Sequence, residues 1–413
     1  MTCGTDVAAD VVWPWRCPNA DPGDHHHVLY PVARVQPFRP LPHPNPWVAF
    51  DTALVWAELA DAHGFDHDRR AALIAELDLR IAEVDGHGFA VTPFARSMGL
   101  SDTLGFGRDG GVWVKDETVN VGGSHKARHL MTILLHLLAC ERLGLTDRRP
   151  PLAIASCGNA ALAAATLAAA VKWPLRVFVP PHGDPAVLAR IAVLGAEVIA
   201  CPRIARDPAG DPCVHRFLEA VADGAIPFGV QGPENALCLD GGRTILWEII
   251  DELGAALDRV FVQVGGGALA ASVGLGCVAA GLYPKVHAVQ AAGCAPLARA
   301  WERSRGFALG DAPLHWRECM WPWESEPVSR ATGILDDETY DWVGVVGAME
   351  RSGGSPVVVT EDLIARANDL GRETTGIDVD HTGTAGLAGL LAVRDQISDD
   401  ERVVVLFTGR RRG

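Results

Sequence analysis

The sequence predicts an α/β protein of two domains, with mainly parallel sheets flanked by helices, behind an N-terminal extension. Three observations predict it. Short apolar runs alternate with longer runs of helical period from residue 112 onward. Polar, glycine-containing turns separate them. The length, 413 residues, exceeds one small domain. Alternation of this kind implies parallel strands covered by helices on both faces.

The elements follow in chain order. Residues 1–50 are rich in Pro, Trp and His without a period, and Pro42, Pro44 and Pro46 favour an extended path. Apolar spacings of three and four predict helix over 50–84, until Gly86 and Gly88 break the pattern. Strands are expected at 112–116, 152–155, 176–179, 197–200, 226–230, 260–264, 286–290 and 402–407. Helices are expected between them at 129–138, 160–171, 185–194, 217–222, 244–253 and 268–280.

Composition narrows the function. A net charge of −15 argues against a nucleic-acid partner, whose phosphates need clustered Lys and Arg. It also discourages anionic membranes. The apolar stretches are too short to span a bilayer, and the first residues lack the features of a secretory signal. Ten scattered cysteines fit reduced thiols, so a cytoplasmic protein is expected. Cys3 and Cys17, with the run His25, His26 and His27 nearby, read as ordinary thiols and a solvated His run, with bound zinc as the less favoured alternative. A tetrahedral zinc site wants four ligands at defined spacing, so no metal is expected.

In folds of this class ligands sit at the carboxyl ends of strands, where helices begin. Three such turns carry chemistry. The first, residues 120–128, is polar and glycine-containing and leads into an apolar helix. It places Lys126 in the first helical turn, where the dipole disfavours an ammonium and favours a reactive amine. On that turn alone a surface lysine fits at least as well. The second is Ser156-Cys157-Gly158-Asn159-Ala160, after the strand 152–155. Taken alone it reads as an ordinary helix cap. The third is Gly265-Gly266-Gly267-Ala268-Leu269, whose N–H groups suit a phosphate at a helix N-terminus. It also satisfies a dinucleotide pattern, which would make the protein a nicotinamide oxidoreductase. That pattern calls for an acid about 20 residues on. None follows Gln290 nearby, so a single phosphate is preferred.

In this order the turns resemble the pyridoxal-phosphate enzymes of the tryptophan-synthase-β fold type, also called fold type II. That group includes threonine synthase and the serine/threonine dehydratases. Gly123 to Lys126 matches the family's Gly-Ser-x-Lys. Ser156 to Asn159 matches its Ser-x-Gly-Asn loop, and Thr408-Gly409 its C-terminal Ser or Thr. Thr92-Pro93, Lys115-Asp116-Glu117 and Asp240 to Thr244 extend the likeness over about residues 90–410. The resemblance implies pyridoxal 5'-phosphate as cofactor, held by Lys126, Asn159, Gly265, Gly266, Gly267, Ala268, Leu269 and Thr408. It implies that the amides of Ser156, Cys157, Gly158, Asn159 and Ala160 hold the carboxylate of a small amino-acid substrate. Lys126 would anchor the cofactor as a Schiff base and then act as the catalytic base for the α-proton. The expected division is an extension over 1–90, a larger domain over 91–143 and 241–413, and a smaller inserted domain over 144–240. A homodimer is the family expectation.

The expected reaction is α,β-elimination of the serine/threonine ammonia-lyase kind, giving a 2-oxo acid and ammonia. The alternative is threonine-synthase-like elimination and replacement on a phosphorylated amino acid. Departures from better-known members bear on the substrate: His125 before the lysine, Arg410 after Thr408-Gly409, and the stretch Asp380-His381-Thr382-Gly383. Arg410, Arg411 and Arg412 read as a solvated tail, with Arg410 reaching a substrate anion as the sharper alternative. Trp316, Trp321 and Trp323 read as packing. Cys157 has no identifiable His–Asp partner and is not expected to be a nucleophile.

Overall fold

The computed structural model describes residues 3–8, 10–20, 27–32 and 40–412. His25 and His26, named above with the cysteines, lie outside the described residues. Among the described residues the strands are β1 (Phe94–Ser97), β2 (Gly111–Asp116), β3 (Leu152–Ala155), β4 (Leu175–Val179), β5 (Glu197–Ala200), β6 (Ile226–Pro227), β7 (Arg259–Gln263), β8 (Lys285–Ala291), β9 (Pro356–Val359) and β10 (Arg402–Phe407). They form a six-stranded sheet ordered β1-β2-β10-β7-β8-β9 and a four-stranded sheet ordered β5-β4-β3-β6. Only β1 runs antiparallel to its neighbour. β10 lies inside the larger sheet, between β2 and β7, and its residues Val403 to Phe407 are buried. A parallel strand covered on both faces reads as a continuous apolar run, which is what Val-Val-Val-Leu-Phe is.

Most predicted elements are present, and the differences have local causes. The expected helix over 50–84 is split into Val55–Ala62 and His67–Asp85. Gly64 takes φ +71° between them, and Asp66 caps the second by accepting from Arg69 N. Pro46 does not extend the chain. It is the first residue of a short helix capped by Asn45, where its missing N–H costs nothing. The strand expected over 226–230 is only Ile226–Pro227; it is an edge strand, where the missing N–H of Pro227 is tolerated, and Phe228 N still donates to the Ala153 carbonyl at 2.8 Å. The helix expected from 244 begins at Leu237. β1, β9 and the helices Pro296–Ser304, Trp342–Ser352, Glu361–Thr375 and Ala385–Val393 were not foreseen. The tryptophans pack: Trp316 lies edge-on to Trp342, and the Arg299 guanidinium sits 3.7 Å from the Trp321 ring centroid.

Helix Lys126–Arg142 is buried along nearly its whole length. It packs against Asn159–Val171, whose alanines allow close approach, and against Leu237–Leu253. There the glycines are obligatory. A Cβ on Gly241 would collide with the Arg128 carbonyl oxygen. Among the described residues no helix is long and apolar enough to cross a membrane.

Candidate active site

Three helices begin at one place without a capping side chain: Lys126–Arg142, Asn159–Val171 and Ala268–Ala280. Each follows a turn singled out in the sequence. Other helices are mixed: Asp66, Asp184 and Asp211 cap theirs, whereas Val55–Ala62, Leu237–Leu253 and Ala385–Val393 also lack a capping side chain. Uncapped first turns leave N–H groups for a ligand, and the dipole favours an anion there.

The end of β10 ties the three turns together. His125 N donates to the Thr408 carbonyl at 3.0 Å, and Arg410 N to the Gly123 carbonyl at 3.0 Å. Ser124 and Gly409 form a bridge between these segments. Asn159 is the first residue of its helix, not the cap, and packs on Gly409, where a Cβ would meet Asn159 Nδ2 at 2.8 Å. Ser156 and Cys157 follow β3, and Gly158 precedes the helix. From the end of β7, Gln263 donates through Nε2 to Thr408 Oγ1 at 2.7 Å. Gly265, Gly266 and Gly267 continue from that strand, and Gly267 takes φ +97°. Ala268 and Leu269 open the next helix and are buried.

Lys126 is half-buried, and among the described residues its Nζ has no hydrogen bond or ion pair. Its pKa is lowered. Burial is the first cause, with Asp336, Cys238 and Asp341 opposing it. The sequence pointed to the helix dipole, but desolvation dominates. Burial, then the Lys126 charge, also lowers the neighbouring histidines, His125 well below its usual value and His129 to about 3. Both are therefore neutral at pH 7. Cys157 is pushed up by burial, which opposes a thiolate nucleophile.

Two carboxylates face this site that sequence reasoning missed. A Cβ on Gly265 would collide with Asp336 Oδ2, and the Gly266 N–H holds the Asp336 pKa down in part. Burial nonetheless raises it to about 6. Asp341 accepts from Gly232 N at 3.1 Å through Oδ2, and its Oδ1 is buried without a partner. Burial raises it to about 7. Their one sequence signal is an acidic run, 336–338, in an aperiodic loop.

Behind the site lies a buried charge network. Arg128, two residues beyond Lys126, meets Glu117 at 2.8 Å and Glu248 at 2.5 Å. Lys115 meets Glu248 at 2.5 Å and the Thr92 carbonyl at 2.6 Å. Thr92 Oγ1 and Asn120 Nδ2 donate to Glu117. These side chains fix the start of the lysine helix against β2 and helix Leu237–Leu253. The arginine tail is not merely solvated: Arg412 donates to Asn159 Oδ1 at 3.0 Å and to the Gly122 carbonyl at 2.7 Å. Arg410 is exposed and packs its side chain along Gly123.

Chemically the arrangement suits a phosphorylated aldehyde. Lys126 brings an amine to the site, and Gly265, Gly266 and Gly267 bring backbone N–H groups without side-chain bulk at the start of the helix Ala268–Ala280. Thr408 Oγ1 already accepts from Gln263, so its own proton is not used in that bond. The fold and the clustered turns are those of the class of cofactor-dependent enzymes built on parallel sheets. More closely, the chain belongs to the pyridoxal-phosphate dependent enzyme family, whose model matches residues 87–409. It is 27% identical over 328 residues to threonine synthase from Mycobacterium leprae, covering 77% of this chain and 80% of that one. Its fold is similar to maize serine racemase, with TM-score 0.61 and 17% identity, covering 82% of this chain and 94% of that one. It is similar also to the processed form of threonine deaminase isoform 2 from Solanum lycopersicum, with TM-score 0.60 and 18% identity, covering 93% and 96%.

Proposed function

We propose that the protein catalyses a pyridoxal-phosphate-dependent α,β-elimination on a small amino acid, releasing a 2-oxo acid and ammonia. The observation that carries this reading is the hydrogen bond from Gln263 to Thr408. It turns the Thr408 proton toward a ring nitrogen as a donor. A hydroxyl donor satisfies that nitrogen without protonating it. Bound cofactor supplies an electron sink, and an unprotonated ring makes that sink shallower. Loss of a β-substituent demands less of the sink than transamination does.

The chain's own groups fit the remaining steps. Lys126 Nζ has its charge disfavoured by burial, which suits an amine that takes the α-proton. The uncapped first turn of Asn159–Val171, with the loop from Ser156 to Ala160, suits the substrate carboxylate. Asn159, held by Arg412, offers its Nδ2 to the cofactor's phenolic oxygen. Asp336 and Asp341 disfavour a second anion near Lys126, which weighs against a phosphorylated substrate.

The identity to threonine synthase favours a second reading, elimination and replacement on a phosphorylated amino acid. One assay separates the two. The holoenzyme should release ammonia and 2-oxo acid from serine or threonine, and no phosphate from O-phosphohomoserine. Phosphate release without ammonia would overturn the first reading. The site itself is tested by borohydride. Reduction should fix the cofactor on Lys126, and Lys126→Ala should show no visible absorption band.

A further inference from the structure

His129 lies one turn beyond Lys126 on the helix Lys126–Arg142 and is wholly buried. Its Nδ1 stands 2.8 Å from the Cys238 carbonyl oxygen. A carbonyl only accepts, so the ring carries a proton on Nδ1. Burial and the Lys126 charge keep the ring neutral at pH 7, which leaves Nε2 a bare lone pair. Nε2 is buried and has no hydrogen-bond partner. A buried acceptor left unpaired is costly and calls for an explanation.

Helix geometry points that lone pair toward the lysine. Residues three apart share one helix face, with Cβ atoms about 5–6 Å apart. Helical side chains lean toward the N-terminus, so the His129 ring leans over the turn that carries Lys126. It stands edge-on to His125, with 5.5 Å between ring centroids. The opposite helix, Leu237–Leu253, leaves room for the ring only because it has glycine there. A Cβ on Gly242 would collide with His129 Cε1 and Ser272 Oγ. Lys126 thus has a donor without an acceptor, and His129 an acceptor without a donor, one turn apart.

We propose that His129 is a positioning residue for Lys126: its Nε2 accepts a hydrogen bond from the Lys126 ammonium whenever the lysine holds a proton. The proposal rests on the reading of Lys126 as the base for the α-proton. Rotation of the four-carbon lysine stem brings Nζ to Nε2. The proton stays on Nζ, and Nδ1–H keeps its bond to Cys238. A bond from an ammonium to a neutral acceptor is charge-assisted, and it stabilises the buried cation without supplying a counter-charge. The other groups facing Lys126 are Asp336, Cys238, Asp341 and His125. Arg128 and Glu117 also face His129, and they pair with each other at 2.8 Å.

This role has two effects of opposite sign. Hydrogen bonding to the charged form raises a pKa. His129 therefore delays loss of the proton from free Lys126, and it aids capture of the α-proton by the same amine. A histidine that only fills space has no reason to do both.

The test compares wild type with His129→Asn and His129→Gln. Asparagine keeps a donor for the Cys238 carbonyl and withdraws the acceptor from Nζ. Glutamine keeps an acceptor at about the reach of Nε2. Pyridoxal phosphate is added to the cofactor-free proteins across a pH series, and the visible band that forms on Lys126 is followed. The midpoint should fall by about one pH unit in His129→Asn, the worth of a hydrogen bond to a charged group. Exchange of the serine α-proton with deuterated solvent should slow by about tenfold in the same variant, with serine affinity little changed. His129→Gln should recover most of both effects. Ser272→Ala should alter neither. An unshifted midpoint in His129→Asn overturns the proposal, and so does an equal shift in Ser272→Ala, which would give Nε2 to that hydroxyl. Should His129→Asn not fold, His129→Leu takes its place. The midpoint needs no substrate. A shifted midpoint in a protein that releases no ammonia from serine or threonine would count against the elimination reading and leave His129 its role.

Discussion

Gln263 Nε2 stands 2.7 Å from Thr408 Oγ1 and 2.9–3.1 Å from the carbonyl oxygens of Thr382, Gly383 and Leu406. One amide thus joins the end of β7, the end of β10 and the loop before helix Ala385–Val393. Thr408→Val removes the hydroxyl and keeps the shape. Cofactor affinity should fall by about threefold to tenfold, the worth of a hydrogen bond of roughly 0.5–1.5 kcal/mol. Stability without cofactor should change little. Gln263→Leu removes a donor that buried oxygens share, and should cost stability as well, about 1–3 kcal/mol. Cofactor titration by fluorescence and urea unfolding separate the two effects. Equal cofactor affinity in Thr408→Val and wild type would sink the role given to the hydroxyl.

Asp336 gives a prediction with a sign. Its carboxylate lies against the Gly266 N–H, where the cofactor phosphate is expected, and burial raises its pKa to about 6. The ionised form opposes a phosphate, and that form grows as pH rises through about 6. Wild-type affinity for inorganic phosphate or cofactor should therefore fall between pH 5 and 7.5 relative to Asp336→Asn. The phosphate's own titration, near pH 6, is common to both proteins, so their ratio isolates Asp336. At pH 7.5 the variant should bind several-fold tighter. Parallel pH profiles in isothermal titration would remove Asp336 from the cradle.

The parts of the site that were legible in the sequence are those whose chemistry is local. Lys126, Asn159 and the glycines at 265–267 each lie within one strand-to-helix turn, so glycine content and apolar flanks singled the turns out, while only their order along the chain and the family resemblance joined them into one proposed site. Asp336 and Asp341 sit in an aperiodic loop, and nothing near them in sequence says that they face the glycines. Arg128, Glu117 and Glu248 are charges within apolar surroundings on different elements, paired only when the chain folds. Arg412 read as tail because a terminal charge run is usually solvated. The bridges Ser124–Gly409 and Val379–Arg410 carry that tail over the site instead.

The network of Arg128, Glu117, Glu248 and Lys115 should behave as a unit. All four side chains are fully or almost fully buried. Arg128→Ala leaves two carboxylates short of a partner in the interior. Removing one partner of a buried pair typically costs about 3–5 kcal/mol. Chemical denaturation should show a loss of that order. The double variant Arg128→Met/Glu117→Gln should recover part of it, because the uncompensated charge is then smaller. A loss under about 1 kcal/mol in Arg128→Ala would mean that water reaches the network.

Asp341 predicts how stability responds to pH. It is buried, its Oδ1 has no partner, and its pKa is raised to about 7. In the unfolded chain a carboxyl titrates near 3.9. Between these two values the folded state binds the extra proton, so this group favours folding at low pH. The contribution fades as pH rises and is lost above about 7, where folding must bury a charge. Asp341→Asn removes the charge and keeps an oxygen for Gly232 N. The variant should be more stable than wild type at pH 8, by a few kcal/mol at about 1.4 kcal/mol per pKa unit. The gain should shrink on acidification and vanish near pH 4. Urea unfolding of both apo proteins from pH 4 to 8 measures the difference directly. A gain that is constant across that range would show that Asp341 is neutral, or equally charged, in both states.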